Sequence, residues 1–266
     1  MTMKIATWNI NSVRLREPIV LKFLEEQKPD VLCLQETKCP DDKFPHDAYE
    51  AIGYRHRAIR GEKGYNGVAI LSKQHPIEET AHHDFCKKGD CRHLSAKIND
   101  ITIHNFYVPA GGDVPDREAN PKFGHKLDFV DEMTKWFGKK GKAPKGPSIL
   151  VGDLNIAPLE HDVWSHKQLL KIVSHTPIEV EKLLAAQASR SWVDVARHFT
   201  PEDKKLYSWW SYRAKDWEKA NKGRRLDHIW ATPDLSDALK GCETLKPARG
   251  WEKPSDHAPV IATLAL

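Results

Sequence analysis

The chain has 266 residues, of which 40% are hydrophobic and 29% charged, an ordinary composition for a globular protein. This composition excludes a disordered, collagen-like or coiled-coil chain, and no apolar run approaches the roughly 20 residues that a membrane-spanning helix needs. Lysine and arginine (41) outnumber aspartate and glutamate (37), giving a formal charge of +4, which permits a polyanionic partner without requiring one.

The first predicted elements alternate between strand and helix. Residues 4–10 predict a strand, and residues 30–37 predict a buried strand that ends in polar side chains. Between these two strands, apolar residues recur at helical spacing, and Pro29 ends the predicted helix. The helical positions are Leu15, Ile19, Val20, Phe23 and Leu24.

Strand patterns continue through the middle of the chain. We predict strands at 67–72, 93–98 and 101–108. Asn99 and Asp100 separate the last two, which indicates a tight hairpin and therefore antiparallel pairing.

The second half repeats the alternation. Residues 121–137 predict a helix, and the Gly-, Pro- and Lys-rich stretch 138–147 is interpreted as an internal loop of one domain spanning residues 1–266. The remaining predictions are strands at 148–156, 207–213, 225–232 and 258–265 and a helix at 177–190. Strands and helices mixed in this way, with a hairpin among them, favour two mixed sheets in an α/β fold.

The amino-terminal residues lack the basic and apolar regions of a signal peptide, and the five cysteines form no Cys-x-x-Cys pair. We therefore expect a cytoplasmic protein with reduced thiols and no membrane association. A zinc site is a weak alternative, because its spacing fits no familiar pattern. Its ligands would be His82, His83, Cys86 and Cys91.

Polar residues stand where several predicted strands begin or end. Any one of them alone is more often a cap or turn residue, but strand ends converge in space, so together they predict one cluster. Oxygen ligands without thiolates favour a hard cation such as Mg²⁺ or Mn²⁺, and a histidine beside a carboxylate suits acid–base work on a phosphodiester. The residues are Asn9, Glu36, Asp153, Asn155, Asp227, Asp256 and His257.

Eight motifs in order carry a resemblance that covers nearly the whole chain: WNINSVR (8–14), LQETK (34–38), GYNGVAI (64–70), NFYVP (105–109), GDLNIAP (152–158), YSWWSYR (207–213), RRLDHIW (224–230) and PSDHAPV (254–260). Together they resemble the exonuclease III family of abasic-site endonucleases, within the endonuclease/exonuclease/phosphatase group. Four of the motifs are shared with relatives that act on lipids and inositol phosphates. The YSWW and RRLDHIW motifs are closer to the DNA-repair members.

The resemblance implies a DNase I-like fold, a four-layer α/β sandwich in which helices flank two facing mixed β-sheets. It also implies that Glu36 binds Mg²⁺, for which Mn²⁺ could substitute. Asp153 would orient or deprotonate the attacking water, and Asn155 would hold water or phosphate. Asn9 would hydrogen-bond Asp153 or contribute to a metal site, and Tyr107 would contact the scissile phosphate as a donor or a phenolate.

Further roles follow from the same resemblance. Asp227 would orient His257, and Asp256 would contribute to a second metal position or bind through water. Asn11 stands where some relatives carry an aspartate, so Glu36 would carry more of the metal binding. The number of ions stays open, and so does the ligand or catalytic role of three residues: Asp153, Asn155 and His257.

The last third of the chain is where we expect substrate recognition. Residues 204–225 contain eight basic and two acidic residues with interleaved tryptophans, which suits phosphate neutralisation and stacking. By the resemblance, Trp209 and Leu226 would form the wall of a pocket for an extruded abasic sugar, and Arg92 would contact substrate phosphates. The loop 110–121 and the lysines of 138–147 are further candidates for DNA contact, although either could be a solvated loop.

These observations predict a Mg²⁺-dependent DNA-repair nuclease, a monomer that cuts double-stranded DNA 5′ to abasic sites. We also expect 3′–5′ exonuclease activity and trimming of 3′ ends. Two alternatives stay open: a phosphodiesterase of the same fold acting on RNA, a phosphoinositide or a lipid, and a catalytically inactive DNA-binding module.

Overall fold

The computed structural model describes residues 2–266. Its strands are β1 (Thr2–Asn9), β2 (Val31–Gln35), β3 (His56–Arg60), β4 (Val68–Ser72), β5 (Glu79–Ala81), β6 (His93–Ile98), β7 (Ile101–Tyr107), β8 (Ser148–Asp153), β9 (Val193–Asp194), β10 (Trp209–Trp210), β11 (Gly223–Arg224), β12 (Asp227–Ala231), β13 (Leu239–Thr244) and β14 (Val260–Ala265). Its α-helices are α1 (Glu17–Gln27), α2 (His46–Ala51), α3 (Pro121–Phe137), α4 (His166–Leu169), α5 (Pro177–Ala188), α6 (Val195–Phe199) and α7 (Trp217–Ala220).

Two six-stranded mixed sheets organise the fold. The first has the order β13-β14-β1-β2-β4-β3, and the second has the order β5-β6-β7-β8-β12-β9. Each contains one parallel pair, β1 with β2 and β7 with β8, among antiparallel neighbours. A separate ribbon pairs β10 with β11. The prediction of two mixed sheets is confirmed.

The fold has four layers because successive side chains of each strand point to opposite faces of its sheet, and both faces of each sheet are covered. One face of each sheet turns inward, so Ile5 and Ile70 of the first sheet meet Val151 of the second in a shared core. The outward faces are covered by helices. Helix α1 packs Phe23 against Trp8, whereas α3 and α5 cover the second sheet.

Polar side chains collect at one rim of this sandwich. The carboxyl ends of β1, β2, β7 and β8 lie there, together with the amino ends of β12 and β14, which run antiparallel to their neighbours. The register brings Asp227 opposite Asp153. In the GDLN motif, Gly152 has φ 140°, and a Cβ there would lie 1.9 Å from the Phe106 carbonyl oxygen, so β8 can approach β7 only with glycine at this position.

Most long elements match their predictions. Helix α3 occupies the predicted residues 121–137, and the Asn99–Asp100 turn joins antiparallel β6 and β7 with positive φ at both residues. The helix predicted from Leu15 begins instead at Glu17, and Leu15 is 57% exposed.

One predicted strand, 207–213, is wrong for most of its length. Only Trp209–Trp210 is extended and paired, because the chain then leaves the ribbon for turns before α7. The strand predicted at 148–156 ends at Asp153, since Asn155 adopts a left-handed φ of 54°.

The residues of the zinc alternative do not form a group of metal ligands within residues 2–266. Of the residues in this range, only Asp153, Asp227 and His257 form a group of three potential metal ligands; His83 pairs instead with Glu132 at 2.9 Å. All five cysteines are free thiols. No helix of the described chain has the length and apolar character needed to cross a bilayer.

Candidate active site

The rim residues are placed by the ends of the strands. Asn9 ends β1, Glu36 follows β2, Tyr107 ends β7 and Asp153 ends β8. Glu36 has a left-handed φ of 49°, a conformation that non-glycine residues rarely adopt. This backbone turn ends the strand where its carboxylate joins the cluster, so residues distant in sequence meet at one edge.

Asn9 bridges two carboxylates through a single nitrogen. Its Nδ2 donates to Glu36 Oε1 at 2.9 Å and to Asp153 Oδ2 at 2.8 Å. Its Oδ1 accepts the backbone N–H of Asn11 at 3.1 Å. Of the two roles expected for Asn9, hydrogen bonding to Asp153 is the one that this geometry displays.

Glu36 is held as a carboxylate by three donors. Besides Asn9, Tyr107 Oη donates to Oε1 at 2.8 Å and Lys38 Nζ lies 2.9 Å from Oε2. Burial acts to raise the pKa of Glu36, but the Lys38 ammonium and the hydrogen bonds together lower it. Burial and the Glu36 carboxylate raise the pKa of Tyr107 well above 10, which favours the neutral phenol, a hydrogen-bond donor.

Asp153 is buried among donors and like charges. It accepts the backbone N–H of Asn155 at 2.9 Å and the Asn155 amide at 3.1 Å, in addition to the bond from Asn9. Burial raises the pKa of Asp153; the neighbouring His257 opposes this rise, and the carboxylate of Asp227 adds to it. Asp153 therefore holds its negative charge at a cost in this environment.

Asp227 and His257 form a dyad. His257 Nδ1 lies 2.8 Å from Asp227 Oδ2, and Nε2 lies 3.7 Å from Asp153 Oδ2. Ser208 Oγ also donates to Asp227 Oδ2, at 2.6 Å. Burial acts to lower the pKa of His257, but the carboxylates of Asp227 and Asp153 outweigh it and raise that pKa.

The donor set at the rim fits a hard divalent cation. The closest group, formed by Asp153, Asp227 and His257, has ligand atoms within 4.8 Å of one another. Asp227 Oδ1 is buried and has no hydrogen-bond partner. With Glu36 beside this group, carboxylates outnumber nearby cationic side chains. Oxygen ligands with an excess of negative charge are what Mg²⁺ and Mn²⁺ select.

A main cleft of about 890 Å³ opens beside the rim. Trp209 and Leu226 line it and pack on the same small apolar cluster. Trp209 Nε1 donates to Asp256 Oδ2 at 2.9 Å, and the Arg224 guanidinium lies 5.1 Å from the centre of the Trp209 ring. The structure thus brings Trp209, Leu226 and Asp256 to the same cleft as His257 and Asp153.

Arg92 and Asn11 lie at the margins of the cluster. Arg92 is buried, forms an ion pair with Asp90 at 2.6 Å and stacks 4.7 Å above the centre of the Tyr107 ring. Asn11 accepts from Lys38 Nζ at 2.7 Å and donates to Asp256. Both residues are therefore placed to hold other rim side chains.

The loop 110–121 and the lysines of 138–147 differ in position. Ala110, Gly112 and Asp113 line the main cleft. The lysines precede β8 at its amino end, whereas Asp153 stands at its carboxyl end, and six residues of strand span roughly 20 Å. The lysines are exposed and lie away from the rim.

Sequence reasoning missed two polar neighbours of the cluster. Lys38 belongs to the LQETK motif and Ser208 to the YSWW motif, but neither was assigned a role. Lys38 lies two residues from Glu36 and Ser208 is adjacent to Trp209, and this proximity to candidate residues was the only signal in the sequence.

Two facing mixed sheets with a carboxylate- and histidine-rich rim define a DNase I-like hydrolase of phosphate esters. The sequence profile of the Endonuclease/Exonuclease/phosphatase family matches residues 6–257. The chain belongs to this family.

Relatives match along the full length. An exodeoxyribonuclease III from Haemophilus influenzae is 31% identical, over 98% of this chain and 99% of the relative. An AP endonuclease from Archaeoglobus fulgidus has a TM-score of 0.90 and 34% identity, covering 99% of this chain and all of that one. A 3′ phosphatase from Neisseria, solved with a product DNA hairpin, has a TM-score of 0.91 and 30% identity, covering 99% of this chain and 100% of that chain.

Proposed function

We propose that the protein is a Mg²⁺-dependent DNA-repair nuclease that hydrolyses the phosphodiester 5′ to an abasic site, leaves a 3′-hydroxyl and also trims 3′ ends. The observation that carries this proposal is the linked cluster of Glu36, Asp153, Asp227 and His257 beside a cleft lined by Trp209. The relatives include an exonuclease, an AP endonuclease and a 3′ phosphatase solved with DNA, and these activities favour DNA over another phosphoester.

Glu36, with Asp153 and Asp256 nearby, would hold the cation, for which Mn²⁺ could substitute. When bound, such a cation neutralises phosphate charge and lowers the pKa of coordinated water. Glu36 suits this position because its pKa is lowered, so it stays ionised.

The chain's own residues would divide the remaining work. Asp153, fixed by Asn9 and Asn155, would accept a proton from the attacking water. The Asp227–His257 dyad would stabilise the charge developing on the phosphate, because Asp227 and Asp153 outweigh burial, raise the pKa of the imidazole and favour its protonated form. Tyr107, a neutral donor, would hydrogen-bond a phosphate oxygen.

Selectivity for an abasic site would come from the main cleft. Extruding a nucleotide costs a few kcal/mol, and least where the base is already missing. Trp209 and Leu226 present an apolar surface to the extruded sugar, while Arg224 keeps the ring of Trp209 in place.

The test uses a labelled duplex with one tetrahydrofuran abasic analogue beside an undamaged duplex, each with Mg²⁺ or with EDTA. We expect a 5′-incised product that requires the metal and forms far faster on the damaged strand. A β-elimination product on a natural abasic duplex, or equal cleavage of both duplexes, would contradict the proposal.

A further inference from the structure

A fully buried ion pair lies directly behind the rim. Lys126 on α3 and Glu179 on α5 have fully buried side chains, and Lys126 Nζ lies 2.5 Å from Glu179 Oε1. Replacing a buried ion pair by apolar residues is often neutral or stabilising, so folding stability alone does not account for a charged pair here. Its contacts indicate what it does instead.

All three protons of the Lys126 ammonium have acceptors. Besides Glu179, Nζ donates to the carbonyl oxygen of Asn155 at 2.7 Å and to that of Ala110 at 3.2 Å. Asn155 is the rim residue with a left-handed φ of 54°. In this backbone conformation the carbonyl oxygen of Asn155 faces Lys126 and its side-chain amide faces Asp153. The ammonium therefore stabilises the conformation that places the Asn155 amide at the site.

Glu179 fixes the opposite wall of the main cleft. Its carboxylate accepts from the backbone N–H of Ser174 at 2.9 and 3.0 Å and from the hydroxyl of Thr176 at 2.7 Å. Ser174 Oγ in turn accepts from Arg224 at 2.8 Å, and Arg224 stacks on Trp209. One ion pair thus touches three cleft-forming segments: the start of loop 110–121, the turn at Asn155 and the wall at residues 172–176.

We propose that the buried Lys126–Glu179 ion pair is a positioning element of the nuclease, in which the Lys126 ammonium sets the orientation of the Asn155 amide by holding its carbonyl. This inference rests on the proposed function. Lys126 does not touch the substrate; it acts through Asn155, and Ala110 receives its remaining proton.

The first variant removes the ammonium while keeping the wall. In Lys126→Met/Glu179→Gln the glutamine oxygen still accepts from Ser174 and Thr176, and no unpaired charge is buried. Because displacements of about 1 Å at a reacting group can cost about 100-fold, we expect kcat on the tetrahydrofuran duplex to fall about 10- to 100-fold. The KM should change less than about threefold, since no substrate contact is lost.

A matched control exists on the same two helices. Lys182 on α5 pairs with Asp131 on α3 at 2.6 Å, away from the residues that line the main cleft. The variant Lys182→Met/Asp131→Asn removes a lysine–carboxylate pair between the same two helices, with side chains that are 20% and 40% exposed. We expect it to retain kcat within about twofold, because neither residue lines the main cleft.

A double-mutant cycle tests the route through Asn155. In an Asn155→Gly background the backbone adopts left-handed φ freely and the amide is gone, so removing the ammonium should cost less than about twofold. If the two losses multiply instead, or if Lys126→Met/Glu179→Gln keeps the kcat of the wild type, the inference is overturned. A wild-type protein that fails to cut the abasic duplex would overturn the proposed function instead.

A second variant keeps the inference testable if the first does not fold, as judged by circular dichroism. A Cβ at Gly111 would lie 2.9 Å from Lys126 Cδ, so Gly111→Ala displaces the lysine stem with both charges retained, and it also strains the loop backbone because Gly111 has a φ of 87°. Its kcat should fall in the wild-type background and not in the Asn155→Gly background. A fall of the same size in both would contradict the positioning role.

Discussion

Two buried acidic clusters lie in this fold, and their charge balance differs. The first, here called the rim cluster, consists of Glu36, Asp153, Asp227 and His257. The second, here called the arginine cluster, consists of Asp162, Asp194, Arg197 and Arg225.

In the arginine cluster each carboxylate faces a guanidinium. Arg225 binds Asp162 through two parallel hydrogen bonds of 2.8 and 2.9 Å and reaches Asp194 at 2.7 Å, while Arg197 also contacts Asp162. Burial acts to raise the pKa of Asp162, but the two arginines outweigh it and lower that pKa. In the rim cluster the pKa of Asp153 is raised. A cluster in which positive and negative charges balance stabilises the packing of loops. A cluster with excess negative charge is suited to cation binding and to proton transfer.

The largest contrast is expected from removing one carboxylate of the rim. Asp153→Asn keeps the shape of the side chain but removes the proposed proton acceptor, so incision of the abasic duplex should fall on the order of 10³- to 10⁴-fold. The metal-free variant should melt at or above the temperature of the wild type, because a disfavoured buried charge is gone. Initial rates and thermal melts measure both. A variant that unfolds would show instead that Asp153 has a structural role, like the carboxylates of the arginine cluster.

Removal of one carboxylate from the arginine cluster should lower the stability strongly and the catalytic rate little. Asp162→Asn leaves Arg225 and Arg197 without their buried counter-charge, and breaking such a pair costs about 3–5 kcal/mol of unfolding free energy. Urea denaturation measures this loss, and Asp131→Asn on the half-exposed Lys182 pair serves as a control with a small effect. The folded fraction should cut at nearly the wild-type rate. If Asp162→Asn kept the stability of the wild type but cut the duplex more slowly, the structural role of the arginine cluster would be contradicted.

The Trp209 side of the main cleft should affect selectivity more than chemistry. Trp209→Ala removes an aromatic surface against which the extruded sugar would pack, so incision of the abasic duplex should fall roughly tenfold, the equivalent of about 1.4 kcal/mol. Basal cleavage of an undamaged duplex should change little, because the rim cluster is intact. An equal fall in the cleavage rates of the abasic and undamaged duplexes would contradict a role of Trp209 in selectivity.

The smallest expected effect is the pH dependence of stability, with opposite signs for the two clusters. Asp153 and His257 bind protons more tightly in the folded protein, so without metal their contribution falls as the pH rises, up to about pH 10 for His257. Asp162 has a lowered pKa, so its contribution is present above about pH 4 and lost in more acidic solution. Between pH 6 and 9 the metal-free protein should lose stability as the pH rises, because Asp153 and His257 release protons. Asp153→Asn should flatten this slope, and an unchanged slope would contradict the assignment.

Much of the architecture could be predicted from the sequence. Long elements such as α3 and the β6–β7 hairpin follow from apolar period and turn residues. Short elements could not be predicted: the β10–β11 ribbon has two residues on each side, and its place depends on a bridge from Trp209 to His257, distant in sequence. Local pattern holds no information about such contacts.

The clustering of the candidate residues was predictable from the sequence, but their hydrogen-bond network was not. Polar strand ends and the motif resemblance identify Asn9, Glu36 and Asp153, because strand ends meet at a rim. They do not show that one nitrogen of Asn9 bridges both carboxylates. Lys126 was missed for a different reason: it lies within the amphipathic pattern of α3, where a lysine is ordinarily exposed, and only the fold places Glu179 against it.

The central claim is that the rim cluster, and not the arginine cluster, is built to bind a divalent cation. Mg²⁺ titration followed by thermal melting tests it most directly, with the wild type, Glu36→Gln and Asp162→Asn compared. A ligand at 100 times its Kd stabilises the folded state by about 2.7 kcal/mol. We predict that increment in the wild type and in Asp162→Asn, and its loss in Glu36→Gln. Stabilisation by Mg²⁺ that persists in Glu36→Gln, or that is missing from the wild type, would contradict the account.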